Sequence, residues 1–220
     1  TIDSQYQANT TAGFSIITYT GTGSAGTLAH GLSSTPEVLF IKNRTDGRSW
    51  VVGHTVSGFT GQYTLNTTGA FSTNSGSFND VAPTSTVVGV GTDQTTNESG
   101  DSMVMYCWHS VKGYSSFGKF VGNGNANGPY IHLGFKPALF MAKSTGVENW
   151  IVLDNARPGY NPTGNYIYWN LSNAEGGAGG EYVDLLSNGV KLRTTGASVN
   201  GSATFVYMAF AEMPFKYSNA

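Results

Sequence analysis

The sequence predicts an all-β protein made of two homologous antiparallel β-sandwich halves, jelly-roll-like, of about 100 residues each. Three observations carry this expectation. Apolar segments are only four to seven residues long and rich in Val, Ile, Phe, Tyr and Trp. Clusters of Gly, Asn, Ser, Asp and Pro separate them, and the order of segments repeats once along the 220 residues.

In chain order the expected strands lie at residues 15–20, 38–42, 50–54, 87–90 and 103–108 in the first half, then 138–143, 150–153 and 204–210 in the second. Thr45-Asp46-Gly47, Ser187-Asn188-Gly189 and Asn200-Gly201 supply residues that tolerate positive φ in tight turns. The best helical stretch, residues 181–192, is interrupted by Asn188-Gly189 and reads better as two strands joined by a hairpin turn.

The repeat aligns residues 13–111 with 112–216. Gly21-Thr22-Gly23 meets Gly122-Asn123-Gly124, and Pro36 to Lys42 meets Pro137 to Lys143. Trp50 meets Trp150, Asn66 meets Asn170, and Trp108 meets Phe210. No linker separates the halves, since residues 109–112 run straight into Gly113-Tyr114, so close packing is expected. Residues 1–12 fall outside the repeat, are polar, and are expected to form a mobile N-terminal arm. Trp50 and Trp150 are expected to be buried equivalents.

Composition excludes several function classes. Thirteen acids against eleven bases leave a net charge of -2, and charged residues are 11% of the chain, so no basic field gathers nucleic acid. Gly, Thr, Ser and Asn make up 95 of 220 residues, which gives a neutral surface rich in hydroxyls and amides. No apolar run approaches the roughly 18 residues of a membrane span, so no membrane insertion is expected. Thr1 in place of Met fits a processed chain or a fragment. Cys107 is the single cysteine, so neither an intrachain disulfide nor a cysteine metal cluster is expected.

The short motifs have structural readings. Gly21-x-Gly23-x-x-Gly26 matches the dinucleotide fingerprint by letter, but Thr27-Leu28-Ala29 starts no helix, so it reads as a turn between strands. Residues 123–128 have the alternating spacing of a calcium loop with neutral amides, and the twelfth position is Gly134 where a bidentate Glu would be required. His30, His54, His109 and His132 lack the short spacing of a metal site. His30 and His132 fall at similar places in the two copies, which points to a solvated or core-edge role. No Gly-x-Ser-x-Gly elbow occurs. Neither a metal nor a cofactor is expected. The Asn-x-Ser/Thr sequons at Asn9, Asn43, Asn66, Asn97, Asn170 and Asn200 are about as many as this composition produces by chance.

One segment departs from the repeat. The interval from Trp150 to Asn170 is 20 residues against 16 from Trp50 to Asn66, an insertion of four. It carries Arg157, Tyr160, Asn161 and Trp169, whose rings and polar groups suit a sugar or a protein partner. These four are the candidate ligand-binding residues, with Arg157 secondary, and no catalytic residue is assigned.

The sequence resembles a family of virion structural proteins, described as tail-fibre-like, encoded by marine bacteriophages. The residues carrying the resemblance include Tyr19-Thr20-Gly21, Ala29-His30-Gly31-Leu32, Phe40-Ile41-Lys42-Asn43-Arg44, Tyr106-Cys107-Trp108, Tyr130 to Lys143, Leu186 to Thr194 and Ala209-Phe210-Ala211-Glu212. It covers residues 13–217. The resemblance implies a place among virion proteins and carries over no catalytic residue or ligand; members of that family often sit beside lectin-like sandwich domains, which implies adhesion by association only. The expected protein is exposed on a virion or extracellular and binds rather than catalyses, with other virion proteins and copies of itself in a symmetric homo-oligomer as partners and a host-surface glycan or receptor as ligand. A capsid decoration subunit or filament protomer is the alternative, and a glycoside hydrolase comes third.

Overall fold

The computed structural model describes residues 1–157, 160–177 and 182–213. Strand accounts for 44% and helix for 7%, so the chain is all-β, and every strand pair among the described residues is antiparallel. The chain divides into two compact units, one of residues 1–66 with 71–110, the other of residues 67–70 with 111 onward.

Unit 1 contains β1 (Ser4–Asn9), β2 (Phe14–Thr20), β3 (Gly26–Ala29), β4 (Val38–Asn43), β5 (Val51–His54), β6 (Gly58–Thr64), β7 (Ser72–Thr73), α1 (Ser75–Phe78), β8 (Val87–Val90), α2 (Gln94–Asn97) and β9 (Ser102–Trp108). A seven-stranded sheet in the order β1-β2-β9-β4-β5-β6-β7 packs on the two-stranded sheet β3-β8. Alternation sends Ile17 and Tyr19 of β2, Leu39 and Ile41 of β4, and Met103, Met105 and Cys107 of β9 into one core with Leu28, Val88 and Val90. Burial pushes the Cys107 thiol up, which leaves it inert at neutral pH.

Unit 2 contains β10 (Ser115–Val121), β11 (Tyr130–His132), β12 (Pro137–Ser144), β13 (Trp150–Asp154), β14 (Tyr166–Tyr168), β15 (Val183–Leu186), β16 (Gly189–Leu192), α3 (Ala197–Asn200) and β17 (Thr204–Ala211). Its sheet order β10-β17-β12-β13-β14 reproduces β2-β9-β4-β5-β6 strand for strand, and β11-β16 reproduces β3-β8, with β15 added at the edge. Phe120, Phe140, Ile151, Leu153, Phe205 and Tyr207 of the larger sheet meet Ile131, Val183, Leu185 and Val190 of the smaller. The stretch after residue 182 is the expected hairpin, with Leu186 opposite Gly189.

The repeated letters mark repeated hydrogen bonds. Gly21 and Gly122 pass so close to a helix end that a Cβ would lie 2.0 Å from the Glu98 carbonyl oxygen and 2.1 Å from that of Gly201, so no side chain fits. Asn66 Oδ1 accepts from Trp50 N–H at 3.1 Å, and Asn170 Oδ1 accepts from Trp150 N–H at 2.9 Å. Lys42 Nζ donates to the Asp46 and Arg48 oxygens of the loop after β4, and Lys143 Nζ to the Ser144 oxygen at the end of β12 and the Gly146 oxygen just past it. All six sequon asparagines hydrogen-bond through their side chains, Asn9 and Asn43 within their own turns and Asn66, Asn97, Asn170 and Asn200 to segments distant in sequence, which gives each a structural role.

Four expectations need correction. Residues 4–9, expected as a mobile arm, pair with β2 from Ser4↔Tyr19 to Asn9↔Phe14, because the outer edge of β2 presents backbone groups that need partners. Trp150 is buried at 2% exposure, whereas Trp50 is only half-buried and stacks on Tyr106 at 6.2 Å. His30 is fully buried, its Nδ1 accepting from Leu32 N–H and its Nε2 facing the Thr84 oxygen, while His132 is exposed. Among the described residues three single-turn α-helices and one 3₁₀ turn (Thr55–Ser57) also appear where none was expected. Asn74 and Asp93 cap α1 and α2, and four residues are too few to establish a helical period.

Candidate functional site

In unit 2 the ends of three neighbouring strands converge. Asn155 N–H donates to the Ala138 oxygen at 3.0 Å, just past β13, and Glu212 N–H donates to the Lys136 oxygen at 2.9 Å, just past β17. The inserted segment folds back over them. Asn161 Nδ2 donates to the Leu185 oxygen at 3.1 Å and Asn161 Oδ1 accepts from Leu185 N–H at 2.9 Å, so this side-chain amide pairs with β15 as a backbone amide would. Thr163 then exchanges both backbone bonds with Val183.

The result is a cleft of about 160 Å³ lined by Lys136, Asn155, Tyr160, Asn161, Thr163, Leu185 and Glu212. Lys136 Nζ lies 2.8 Å from Glu212 Oε2, and Asn155 Nδ2 donates to Glu212 Oε1 at 2.8 Å. Tyr160 stands at its edge, 76% exposed. The walls therefore offer a cation, an amide, a carboxylate and one open aromatic face. Such a set donates to and accepts from the hydroxyls of a neutral polyol while the ring covers an apolar face of a sugar.

The four sequence-derived candidates do not form one site. Tyr160 and Asn161 line the cleft, but the Asn161 amide is committed to Leu185, so it positions the neighbouring ring. Arg157 is held by Asp154, with Nε 2.5 Å from Oδ2, and by Glu175, with Nη1 2.6 Å from Oε2. Burial works to raise the Asp154 carboxyl, but the Arg157 guanidinium and the Arg157 and Ala156 N–H groups outweigh it and hold it below the usual carboxylate range. Arg157 thus pins the insertion to β13. Trp169 is half-exposed and outside the lining, and its N–H donates to the Trp150 oxygen at the opposite end of β13 from Asn155, about 15 Å away along the strand.

Lys136, Asn155 and Glu212 escaped the sequence reading. They are far apart in sequence, and only the register of β12, β13 and β17 joins them. Among the described residues no group of three or more His, Cys, Asp or Glu side chains is placed to hold a metal ion. No helix among them is long and apolar enough to cross a membrane.

A family model described as a domain of unknown function, DUF7483, matches residues 1–214. No curated protein and no solved structure matches the chain. Since the family match spans both units, this chain belongs to the DUF7483 family.

Proposed function

We propose that the chain is a non-enzymatic binding protein of a bacteriophage virion, exposed on an appendage, which attaches to a neutral glycan or receptor on the host surface. The observation that carries this reading is the exposed Tyr160 ring at the edge of a polar cleft, on a segment four residues longer in the second copy than in the first. Residues shared by both copies are accounted for by the shared fold, so the insertion needs another cause. The low charge of the chain agrees with recognition by stacking and hydrogen bonds rather than by a long-range field. The place in a virion rests on the sequence resemblance.

Two experiments test the two parts. Antibody labelling of intact virions by electron microscopy should decorate tail appendages; label confined to the head, or none, contradicts the location. A screen of immobilised glycans should return neutral ligands whose binding to the purified chain is lost in Tyr160→Ala. Binding only to purified capsids, or self-polymerisation without any ligand, would support the decoration or filament role instead.

A further inference from the structure

We propose that unit 1 holds a second carbohydrate site, selective for a saccharide bearing one carboxylate, with Arg44 as the anchor for that group. It is separate from the Tyr160 cleft and does not depend on it.

Strand register places the site. β1 pairs with β2 at Ser4↔Tyr19, β2 with β9 at Thr20↔Ser102, and β9 with β4 at Asn43↔Met103. Continued by one residue at each end, these registers set Asp3, Thr20, Ser102 and Arg44 in one row across four adjacent strands, and Arg44 N–H donates to the Ser102 oxygen at 2.8 Å. Two residues along, Gln5 and Thr18 occupy the next row on the same face. Between these rows lies a cleft of about 290 Å³ lined by Asp3, Gln5, Thr18, Thr20, Ser102 and Arg44, among others. Three strand spacings separate its ends by about 14 Å, too far for Asp3 to neutralise Arg44 directly.

Arg44 is unlike the other arginines. Arg48 pairs with Asp46 and Glu98, Arg157 with Asp154 and Glu175, and Arg193 with Asp184. Among the described residues Arg44 meets no carboxylate within ion-pairing distance, and its side chain reaches only Ser102 Oγ at 3.5 Å. The scaffold does not require it. In unit 2 the equivalent position is Thr145, whose N–H makes the same bond to the Thr204 oxygen at 2.9 Å, and Thr20 is matched by Val121. Ser102 keeps a hydroxyl counterpart in Thr204, so the guanidinium and the Thr20 hydroxyl are the features particular to the first copy.

The chemistry selects the ligand. A planar guanidinium binds a carboxylate through two parallel bonds. The hydroxyls of Thr18, Thr20 and Ser102 and the Gln5 amide both donate and accept, as sugar hydroxyls require. Asp3 at the far end accepts from hydroxyls and repels a second carboxylate, so an acidic ring sits at Arg44 and a neutral ring lies toward Asp3.

The test is calorimetric titration of the whole chain with a disaccharide carrying one glucuronate ring, with the disaccharide in which glucose replaces that ring, and with inorganic sulfate. The acidic disaccharide should bind about tenfold tighter than the neutral one. Arg44→Gln should remove that advantage, Arg44→Lys should keep only part of it, and Tyr160→Ala should leave the affinity for the acidic disaccharide itself unchanged. Equal binding of both sugars, binding of neither, full displacement by equimolar sulfate, or an unaffected and folded Arg44→Gln variant would each overturn the proposal. Loss of acidic-sugar binding in Tyr160→Ala would also overturn it, by moving the ligand to the other cleft.

Discussion

Asn97 and Asn200 hold equivalent positions in the two units, each closing a Gly-x-Gly loop from the last residue of a one-turn helix. Asn97 Oδ1 accepts from Thr22 N–H at 2.8 Å while its Nδ2 donates to the Ser24 and Gly91 oxygens, both at 2.7 Å. Asn200 Oδ1 accepts from Asn123 N–H at 3.0 Å while its Nδ2 donates to the Asn125 and Thr194 oxygens at 2.8 and 2.6 Å. Both side chains are fully buried, so truncation leaves backbone groups without partners. Asn97→Ala and Asn200→Ala should each cost about 3 kcal/mol in urea unfolding, and by similar amounts. A cost below about 1 kcal/mol for either would show that the loop is held by other means.

The glycines beside them are sterically required. Gly21→Ala and Gly122→Ala force a methyl into a carbonyl oxygen and should cost about 3 kcal/mol or more, whereas Gly47→Ala, with nothing within 4 Å of the added methyl, should be nearly neutral. Thermal unfolding of the three variants reads the contrast directly, and equal melting temperatures would contradict it.

The matched tryptophans should separate in energy. Trp150→Ala empties a buried site and should cost about 3 to 5 kcal/mol. Trp50→Ala loses one stacking partner on a half-buried ring and should cost about 1 to 2 kcal/mol. Equal losses would mean that Trp50 is as enclosed as its counterpart.

Buried His30 predicts an acid-sensitive unit 1. Burial lowers its pKa below the ordinary 6.5, against the Thr84 carbonyl, which raises it, and with the nearby His109 adding to the lowering. Protonation would also place a proton on the Nδ1 that accepts from Leu32 N–H. The unfolded chain therefore binds the proton more readily, so His30 contributes stability that is lost as pH falls from about 6.5 toward its folded pKa. NMR titration of the His30 ring should give an apparent pKa below the ordinary 6.5; a value at or above 6.5 would contradict the assignment.

How much of this was legible in the sequence follows from which contacts are local. The pairs Trp50 with Asn66 and Trp150 with Asn170 stand out because each asparagine caps the strand opposite its own hairpin, a constraint that repeats with the fold. Gly21 and Gly122 stand out because nothing larger fits. β1 was hidden because both of its faces are largely exposed, so Ser4-Gln5-Tyr6-Gln7 shows no apolar alternation. The Tyr160 cleft was half legible: the insertion is visible as a length difference, but Lys136, Asn155 and Glu212 meet only through register, and the Asn161 amide turned out to serve β15.

In the proposed function Tyr160 meets the ligand. The decisive measurement is binding of the folded chain and of Tyr160→Ala to the neutral glycans returned by the screen, at about 50 and 200 mM salt. Wild-type binding should change little with salt, as expected of stacking and hydrogen bonds, and should fall at least about tenfold in Tyr160→Ala with Trp169→Ala unaffected. Undiminished binding by a folded Tyr160→Ala variant would contradict it.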